Sequence, residues 1–424
     1  MHSALRIIVA VAAALVAIAA PARGQDAAPL DAAALFDDRQ LQEIRLVVNP
    51  RDWTNLKASF QSNTYYAAHF IWRDRVVTNV GIRSRGTGSR SDTKPGLRVD
   101  FNRFDESQHF LGLKSVVLRN NVQDPSQLHE RIAMRLFARL GRPTPREAHV
   151  RLYVNDEYAG LYSVVESVDK AFLADRFGQD GGYLYEYDYD PADAPYRFEY
   201  RGPLPSLYSP KPFKPVTHEL DPDAGPIAGM VRAIAETPDA DFQRVVSDYL
   251  HLEGWVAHAA VEAFVAETDG LLGDWGMNNF YLYRFQGTTV ATVIPWDKSE
   301  AFKAGVAASI WRNVDDVPAA TRNALMERAM RQPGLRGVYL DTLLWCAEIA
   351  AAPDAAESGG SGTAAPGWLE GEVRRAAGQI RDAVHQDTAA PFSVDEFEAE
   401  VQRLIEFARD RSAIVREDVR RSPR

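Results

Sequence analysis

The sequence has almost no cysteine. Its 424 residues include a single one, Cys346, which lies in an apolar stretch from Thr342 to Ile349. A lone cysteine has no partner within the chain, so we expect a buried structural thiol and a fold without disulfides. The same scarcity excludes a zinc site built from cysteines, and the nine histidines show no HExxH spacing.

Long apolar runs are also missing, apart from one run near the N-terminus. A short segment with one positive charge, Met1 to Arg6, precedes the apolar run Ile7 to Ala20 and the small-x-small pattern Ala20-Pro21-Ala22. The run is shorter than the roughly 20 residues that a membrane-spanning helix needs. It predicts a signal peptide over residues 1–24 with cleavage after Ala22, and therefore a secreted or periplasmic protein without a transmembrane anchor. An uncleaved anchor is the alternative.

Positive charge is not in excess. Lysine and arginine total 48 and the acidic residues total 58, which gives a formal net charge of −10. A nucleic-acid-binding protein normally presents a basic surface, so the balance argues against nucleic acid as a partner. The 46% of hydrophobic and 25% of charged residues are typical of an ordinary globular protein.

Two patterns of secondary structure follow one another along the chain. Residues 25–40 are rich in Ala and Asp and are expected to be a disordered lead-in. Short β-type runs, one helix after Asp124 and a hairpin at residues 155–157 predict a strand-rich lobe over residues 41–168. Residues 169–424 are mainly helical, with a hairpin at 279–297 and a flexible loop at 352–366. The order predicts an α+β, two-lobed protein with a cleft between its lobes.

A basic turn in the first lobe is the first candidate for chemistry. Residues 83–91 combine arginines with glycines and hydroxyl side chains, and Lys94 follows just before a strand. This composition suits a bound anion such as a phosphate chain, although it does not match the Walker pattern. An ordinary surface turn is the alternative interpretation.

A glutamate on the predicted helix, Glu130, is the second candidate. A helix glutamate beside a strand lysine can orient that lysine by an ion pair, as protein kinases do to hold the ATP phosphates. Because Arg131 and Arg135 follow it, Glu130 would otherwise belong to a solvated helix face.

Acidic and amide side chains cluster in a Gly-rich loop and after the next strand. The loop 267–279 contains Asp269, Asp274, Asn278 and Asn279, and Asp297 ends the apolar strand that follows. An Asp that accepts a hydroxyl proton, near an Asn and an Asp that hold Mg²⁺, is the arrangement that phosphoryl transfer uses. Turn formation and helix capping are the structural alternatives. Glycoside hydrolysis by paired carboxylates stays open, but it leaves the basic turn without a role.

Four sequence blocks resemble the CotH-type atypical protein kinases, a family named for a spore coat protein. The resemblance runs from about residue 40 to residue 415. Its most recognisable pieces, in chain order, are Arg83-x-Arg85-Gly86-x-x-Ser89, Leu118-Arg119-Asn120-Asn121, Gly160-Leu161-Tyr162, and Asn278-Asn279 with Ile294-Pro295-Trp296-Asp297.

The resemblance implies a reduced protein-kinase-like fold that uses ATP with Mg²⁺ or Mn²⁺ to phosphorylate Ser or Thr of extracytoplasmic proteins. It implies that Lys94, with Arg85 and Ser89, contacts the phosphates and that Glu130 orients Lys94. Asp269 would be the catalytic aspartate, and Glu166 would lie near a hinge that faces the adenine. The implied metal ligands are Asn278, Asn279 and Asp297.

Two segments depart from the family pattern. Asp297-Lys298-Ser299 stands where the family often has Asp-x-Asp, so a hydroxyl replaces the second carboxylate. Glu267-Thr268-Asp269 stands where the family usually has Asn-Trp-Asp. The alternative function is therefore a catalytically impaired scaffold or surface-binding protein, and another ATP-dependent transfer, such as nucleotidyl transfer, is the third possibility.

Overall fold

The first half of the chain forms a closed barrel. The computed structural model describes residues 31–188, 192–353 and 365–422, so the predicted signal peptide and most of the predicted loop at 352–366 lie outside the described residues. The barrel strands are β1 (Gln42–Val48), β2 (Tyr66–Trp72), β3 (Arg75–Ser84), β4 (Leu97–Asp100), β5 (Ser115–Arg119), β6 (Glu147–Val154) and β7 (Glu157–Glu166). Their order is β1-β2-β3-β4-β5-β7-β6, and parallel pairing of β6 with β1 closes the ring.

Alternating side chains explain why these strands close around a core. Along β1 the side chains of Ile44, Leu46 and Val48 are buried, whereas Val47 between them is 42% exposed. Period-two alternation places every second residue on the inner face of a barrel. The predicted hairpin joins β6 and β7 through Asn155 and Asp156, whose φ angles of 51° and 65° suit a tight two-residue turn.

Two helices accompany the barrel. Helix α2 (Pro50–Ala58) connects β1 to β2, and α3 (His129–Arg139) lies between β5 and β6. Helix α3 begins at His129 and not directly after Asp124, because the Asp124 carboxylate accepts hydrogen bonds from the backbone N–H groups of Leu128 and His129, both at 2.7 Å.

A second sheet packs against the outside of the barrel. It contains β8 (Tyr183–Tyr187), β9 (Phe213–Pro215), β10 (Phe280–Arg284) and β11 (Ala291–Pro295), in the order β11-β10-β8-β9. The predicted hairpin is β10 with β11. Val117 of β5 shares one apolar cluster with Ile294 and Trp296, so the cluster fixes the end of β11 against the barrel wall.

Helices make up most of the remaining structure. They are α1 (Ala32–Leu35), before the barrel, and then α4 (Lys170–Phe177), α5 (Gly225–Glu236), α6 (Phe242–Ser247), α7 (Leu252–Phe264), α8 (Ala324–Ala329), α9 (Pro333–Ala351), α10 (Trp368–His385) and α11 (Val394–Arg421). Cys346 on α9 is fully buried in their shared core, as predicted, and burial raises the pKa of its thiol. None of the helices in the described ranges is long and apolar enough to span a membrane. The fold is mixed α+β, as predicted.

The described part of the lead-in at residues 25–40 is ordered, contrary to expectation. Asp31 caps α1, and the Leu35 side chain has no exposed surface. Asp38 accepts hydrogen bonds from Arg131 at 2.8 Å and Arg135 at 2.6 Å, both on α3. These long-range partners, which composition does not reveal, fix a segment that looked too polar and too simple to fold.

Candidate active site

A cleft of about 310 Å³ lies between the barrel and the second sheet. The turn after β3 forms one side, and the loop before β10 together with the end of β11 forms the other. Six of the predicted site residues line it: Arg85, Ser89, Asp269, Asn278, Asn279 and Asp297. Ser299 lines it as well. Residues from distant parts of the sequence therefore face one space.

Asp269 is held by the two asparagines. Its Oδ2 atom accepts hydrogen bonds from the side-chain amides of Asn278 and Asn279, each at 2.9 Å. Its own backbone N–H donates to Glu267 Oε1 at 2.8 Å. Burial, with a smaller contribution from the nearby Asp297, raises the pKa of Asp269 to about 6. The carboxylate is thus oriented, ionised at neutral pH, and more basic than an ordinary aspartate.

Asn279 and Asp297 both have left-handed backbone conformations. Their φ angles are 56° and 46°, values that cost energy for residues other than glycine. The Asn279 carbonyl accepts hydrogen bonds from Trp296 N–H at 3.2 Å and from Lys298 Nζ at 3.0 Å. These bonds hold the beginning of β10 and the end of β11 together, so the two strained residues face the cleft side by side.

A buried cluster supports the loop from behind. Lys298 Nζ lies 2.7 Å from Glu262 Oε1, which also accepts from His258 Nε2 at 3.1 Å. Glu262 Oε2 accepts the backbone N–H of Leu271 at 2.7 Å. Burial alone would raise the pKa of Glu262, but Lys298 and His258 lower it to about 2. The pair of Glu262 and Lys298 therefore stays ionised and joins α7, the loop and the residue after Asp297.

Arg119 joins the candidate metal ligand to helix α3. Its Nη1 atom lies 2.5 Å from Asp297 Oδ2, and its Nε atom lies 2.7 Å from Glu130 Oε2. Ser299 Oγ donates to the other Asp297 oxygen at 3.0 Å. Burial opposes ionisation of Asp297, but Arg119 lowers the pKa of this carboxyl below its ordinary value. A buried cation from β5 thus bridges the two acids.

Arg85 offers a guanidinium to the cleft. Within the described residues its side chain makes no hydrogen bond or ion pair, and it lies 5.6 Å from the centre of the Trp296 ring. Burial and the neighbouring Arg119 lower its pKa. Next to it, Gly86 has a φ of 117°, and a Cβ there would lie 2.5 Å from Ser89 Oγ. Glycine therefore allows this turn to fold back toward the cleft.

Lys94 does not reach the cleft, and the expected ion pair between Lys94 and Glu130 is not formed. The Lys94 side chain is 1% exposed, and its Nζ atom lies 2.6 Å from Asp387 Oδ2 in the turn between α10 and α11. Glu130 pairs with Arg119 instead. A buried ammonium requires an acidic partner, and Asp387 supplies one, so the Lys94 ammonium is paired away from the cleft.

Glu166 also points elsewhere. Its carboxylate pairs with Arg146 at 2.5 Å and Arg176 at 3.0 Å. The residues that follow it, Ser167 to Asp169, line the cleft and connect β7 to α4. The segment predicted to lie near a hinge therefore borders the cleft, while the Glu166 side chain braces it from the outer side.

The donor atoms suit a hard divalent cation together with phosphate. No group of three or more His, Cys, Asp or Glu side chains in the described ranges is arranged to hold a metal by itself. Asp297, Asp269 and the amide oxygens of the asparagines nevertheless share the cleft, and Mg²⁺ typically takes one or two carboxylates plus phosphate oxygens. Arg119 and Glu130 line a smaller pocket that shares Asp297 with the cleft, and Arg119 Nη2 and Glu130 Oε1 have no hydrogen-bond partner among the described residues.

Sequence reasoning missed the roles of Arg119, Glu262 and Lys298. Arg119 had a readable signal, because on β5 it lies two residues after Val117 and therefore on the same face of the strand. Glu262 and Lys298 had no such signal, since each is one charged residue in an otherwise apolar or mixed segment. Only the packing of α7 against the hairpin brings them together.

Two acids, two asparagines and Arg85 line one cleft, and Arg119 pairs with one of those acids, Asp297. Together they define a candidate site for a phosphorylated ligand and a divalent cation. The family model described as "CotH kinase protein" matches residues 82–349. The chain therefore belongs to the CotH family, as its sequence blocks predicted. It is also similar to the inner spore coat protein H of Bacillus subtilis (strain 168), with 26% identity over 253 residues, which cover 60% of this chain and 67% of that protein.

Proposed function

We propose that this protein is an exported CotH-like kinase that transfers the γ-phosphoryl group of ATP to a Ser or Thr hydroxyl of an extracytoplasmic protein. The observation that carries the proposal is the convergence of Asp269, Asp297 and Arg85 on one cleft. In this proposal the barrel is the first lobe of a reduced kinase-like fold and the helical part is the second lobe. Family membership supports the reaction type.

Asp269 is the proposed base. The amides of Asn278 and Asn279 fix its Oδ2 atom, which leaves Oδ1 to accept the proton of the acceptor hydroxyl. Its pKa of about 6 keeps it ionised at neutral pH and close to the range in which a general base works best. The proton moves from the hydroxyl to this carboxylate as the hydroxyl oxygen attacks the γ-phosphorus. The bond from that phosphorus to the β,γ-bridging oxygen breaks, and ADP leaves.

Asp297, Asn279 and Asn278 are the proposed ligands of Mg²⁺ or Mn²⁺. Both asparagines donate through their amide nitrogens. Their amide oxygens accept no hydrogen bond within the described ranges, so they can accept a metal. A divalent cation held there would neutralise charge on the β- and γ-phosphates. Arg119 would take the part that the sequence suggested for Lys94, oriented by Glu130, while Arg85 and Ser89 would contact the phosphate chain.

The proposed partner is a protein with a Ser or Thr acceptor, located outside the cytoplasm. The signal-peptide pattern at residues 1–24 supports export. The similarity to a protein named as an inner spore coat protein supports a location outside the cytoplasm. Nucleic acid has no place in the proposal because the chain carries a net charge of −10.

A catalytically impaired scaffold is the second candidate. It is favoured by the Arg119 contact with Asp297 and by Ser299 in place of a second carboxylate. Such a protein would bind nucleotide weakly, without turnover, and would act through its surface.

The decisive experiment incubates the purified protein with γ-labelled ATP, Mn²⁺ and dephosphorylated casein. We expect label in casein or in the protein itself, and a loss of about 100-fold or more in Asp269→Asn and in Asp297→Asn. The matched control is Asp74→Asn, an exposed aspartate between β2 and β3, which should label at the wild-type rate. Absence of labelling, with nucleotide binding still measurable by calorimetry, would support the scaffold instead.

A further inference from the structure

Trp275 is an exposed aromatic side chain on the loop that carries Asp269. It is 67% exposed, although a Trp side chain gains more from burial than almost any other. The backbone N–H of Asp274 donates to the Thr268 carbonyl at 2.9 Å, and that of Asn278 donates to Gly270 at 2.9 Å. These bonds fold the loop back on itself, so Trp275 lies at the tip of the same loop that carries the proposed base.

The residues on both sides of Trp275 are held in place by contacts with other parts of the chain. On one side of it, the Asp274 carboxylate accepts hydrogen bonds from Arg312 and from Asn313 Nδ2. On the other side, Gly276 has a φ of 104°, and a Cβ there would lie 3.0 Å from Pro195 Cβ. Because both neighbours of Trp275 are held, its exposure is built into the fold.

A recess of about 210 Å³ adjoins this tip. Leu271, Leu272 and Val317 give it an apolar wall. Its polar side includes Arg197, whose guanidinium makes no hydrogen bond or ion pair within the part of the chain that the structure describes. The recess and Trp275 together therefore offer an aromatic face, an apolar wall and one free cation.

We propose that Trp275 and this recess bind the acceptor protein, as an extended segment with a large apolar residue against Trp275 and one acidic side chain at Arg197. The proposal rests on the proposed kinase function and names its substrate class. An acceptor hydroxyl must come within hydrogen-bonding distance of Asp269, so the residues that flank it pass over the loop that carries both Asp269 and Trp275.

Neighbouring charges restrict the acceptor to a single acidic residue. Asp315 and Asp316 are exposed in the turn that contains Asn313, and Asp316 accepts the backbone N–H of Asn313 at 2.7 Å. A run of acidic residues would meet these carboxylates and be repelled, whereas one carboxylate that reaches Arg197 would not. The surface therefore selects an apolar residue and an isolated acid.

The test uses the full-length protein on immobilised Ser/Thr peptides that vary one position at a time. One arm measures phosphate transfer from labelled ATP, and the other measures binding of the protein to the same peptides without ATP. Wild type should prefer a large apolar residue at one position and an acid at another. Trp275→Ala should lose the first preference and Arg197→Met the second, each with at least a tenfold higher KM for the preferred peptide.

The control is Trp345→Ala, which removes a 47% exposed Trp on α9 and should keep both preferences. KM for ATP, measured in parallel, separates loss of the peptide site from loss of the nucleotide site. If wild type shows no sequence preference in either arm, or if Trp275→Ala keeps it, the docking proposal is wrong. If the peptides bind selectively but none is phosphorylated, docking stands and the kinase function fails.

Discussion

The ion pair of Arg119 with Glu130 was not predicted from the sequence. Lys94 was the natural choice for a phosphate-binding cation, because it follows a basic turn and precedes a strand. The structure instead gives the Glu130 pair to Arg119. Period-two alternation places Arg119 on the face of Val117, but which face of β5 meets the cleft depends on the second sheet, whose strands lie more than sixty residues further along. Tertiary packing, and not local sequence pattern, determines which of the two cations pairs with Glu130.

Glu267 is expected to make stability depend on pH. Its Oε1 atom accepts hydrogen bonds from the backbone N–H groups of Thr268 and Asp269, and its Oε2 atom is buried with no hydrogen-bond partner in the part of the chain that the structure describes. Burial raises its pKa from 4.5 to about 8. The folded protein therefore keeps a proton that the unfolded chain has lost, and stability falls as pH rises from about 4.5 to about 8, by at most ~1.4 kcal/mol per pH unit.

Glu267→Gln removes this titration and keeps an acceptor for the two backbone groups. Urea unfolding between about pH 5 and pH 8 should therefore give a flatter stability curve for the variant than for wild type. Glu236→Gln, which changes a glutamate exposed on α5, should retain the wild-type slope. Parallel curves for wild type and Glu267→Gln would contradict a neutral, buried Glu267.

Among the elements, those with local partners were the ones that sequence could predict. The hairpin of β6 and β7 and the hairpin of β10 and β11 each join neighbouring strands, and the long helices α9, α10 and α11 follow their apolar periodicity. The strands β8 and β9 were missed. Strand β8 pairs with β10, about a hundred residues further on, and β9 lies in a stretch rich in Pro, Tyr and Asp. Pairing between segments that are far apart in the chain produces little recognisable pattern within a short stretch of sequence.

The loop at residues 267–279 is expected to depend on the ion pair behind it. Lys298→Met leaves Glu262 as a buried, partly unpaired charge, which should cost about 3–5 kcal/mol of unfolding free energy. It also removes the bond to the Asn279 carbonyl, so kcat at saturating ATP should fall about 100-fold. Urea unfolding and steady-state kinetics measure the two effects separately.

Adding Glu262→Gln to Lys298→Met distinguishes the effect of Lys298 on the position of the loop from its effect on the free energy of unfolding. The double variant has no unpaired charge and keeps an acceptor for Leu271, so it should regain most of the lost stability but not the lost kcat. Lys303→Met, which breaks a pair with Glu300 nearer the surface, should cost at most about 1 kcal/mol and leave kcat unchanged. Wild-type kcat in Lys298→Met would contradict the positioning role.

At the scale of the whole molecule, a turn of the helical part packs against the barrel. Asp387, in the turn between α10 and α11, accepts hydrogen bonds from Lys94 Nζ at 2.6 Å and from Leu161 N–H at 2.9 Å. Gly160 makes this approach possible, because a Cβ there would lie 2.6 Å from the Asp387 carboxylate. The family match ends at residue 349, yet the barrel depends on this later turn. The sequence pattern around Lys94 and the pattern around Asp387 do not predict this contact.

Breaking the pair of Lys94 and Asp387 tests whether Lys94 stabilises the fold or binds nucleotide. Lys94→Met should lower the free energy of unfolding by about 3–5 kcal/mol, because Asp387 is left buried with an unpaired charge. Adding Asp387→Asn removes that charge and keeps an acceptor for Leu161, so most of the stability should return in urea unfolding. Nucleotide affinity of the double variant, measured by calorimetry, should equal that of wild type because the pair lies outside the cleft. A stable double variant that no longer binds ATP would restore Lys94 to the nucleotide site.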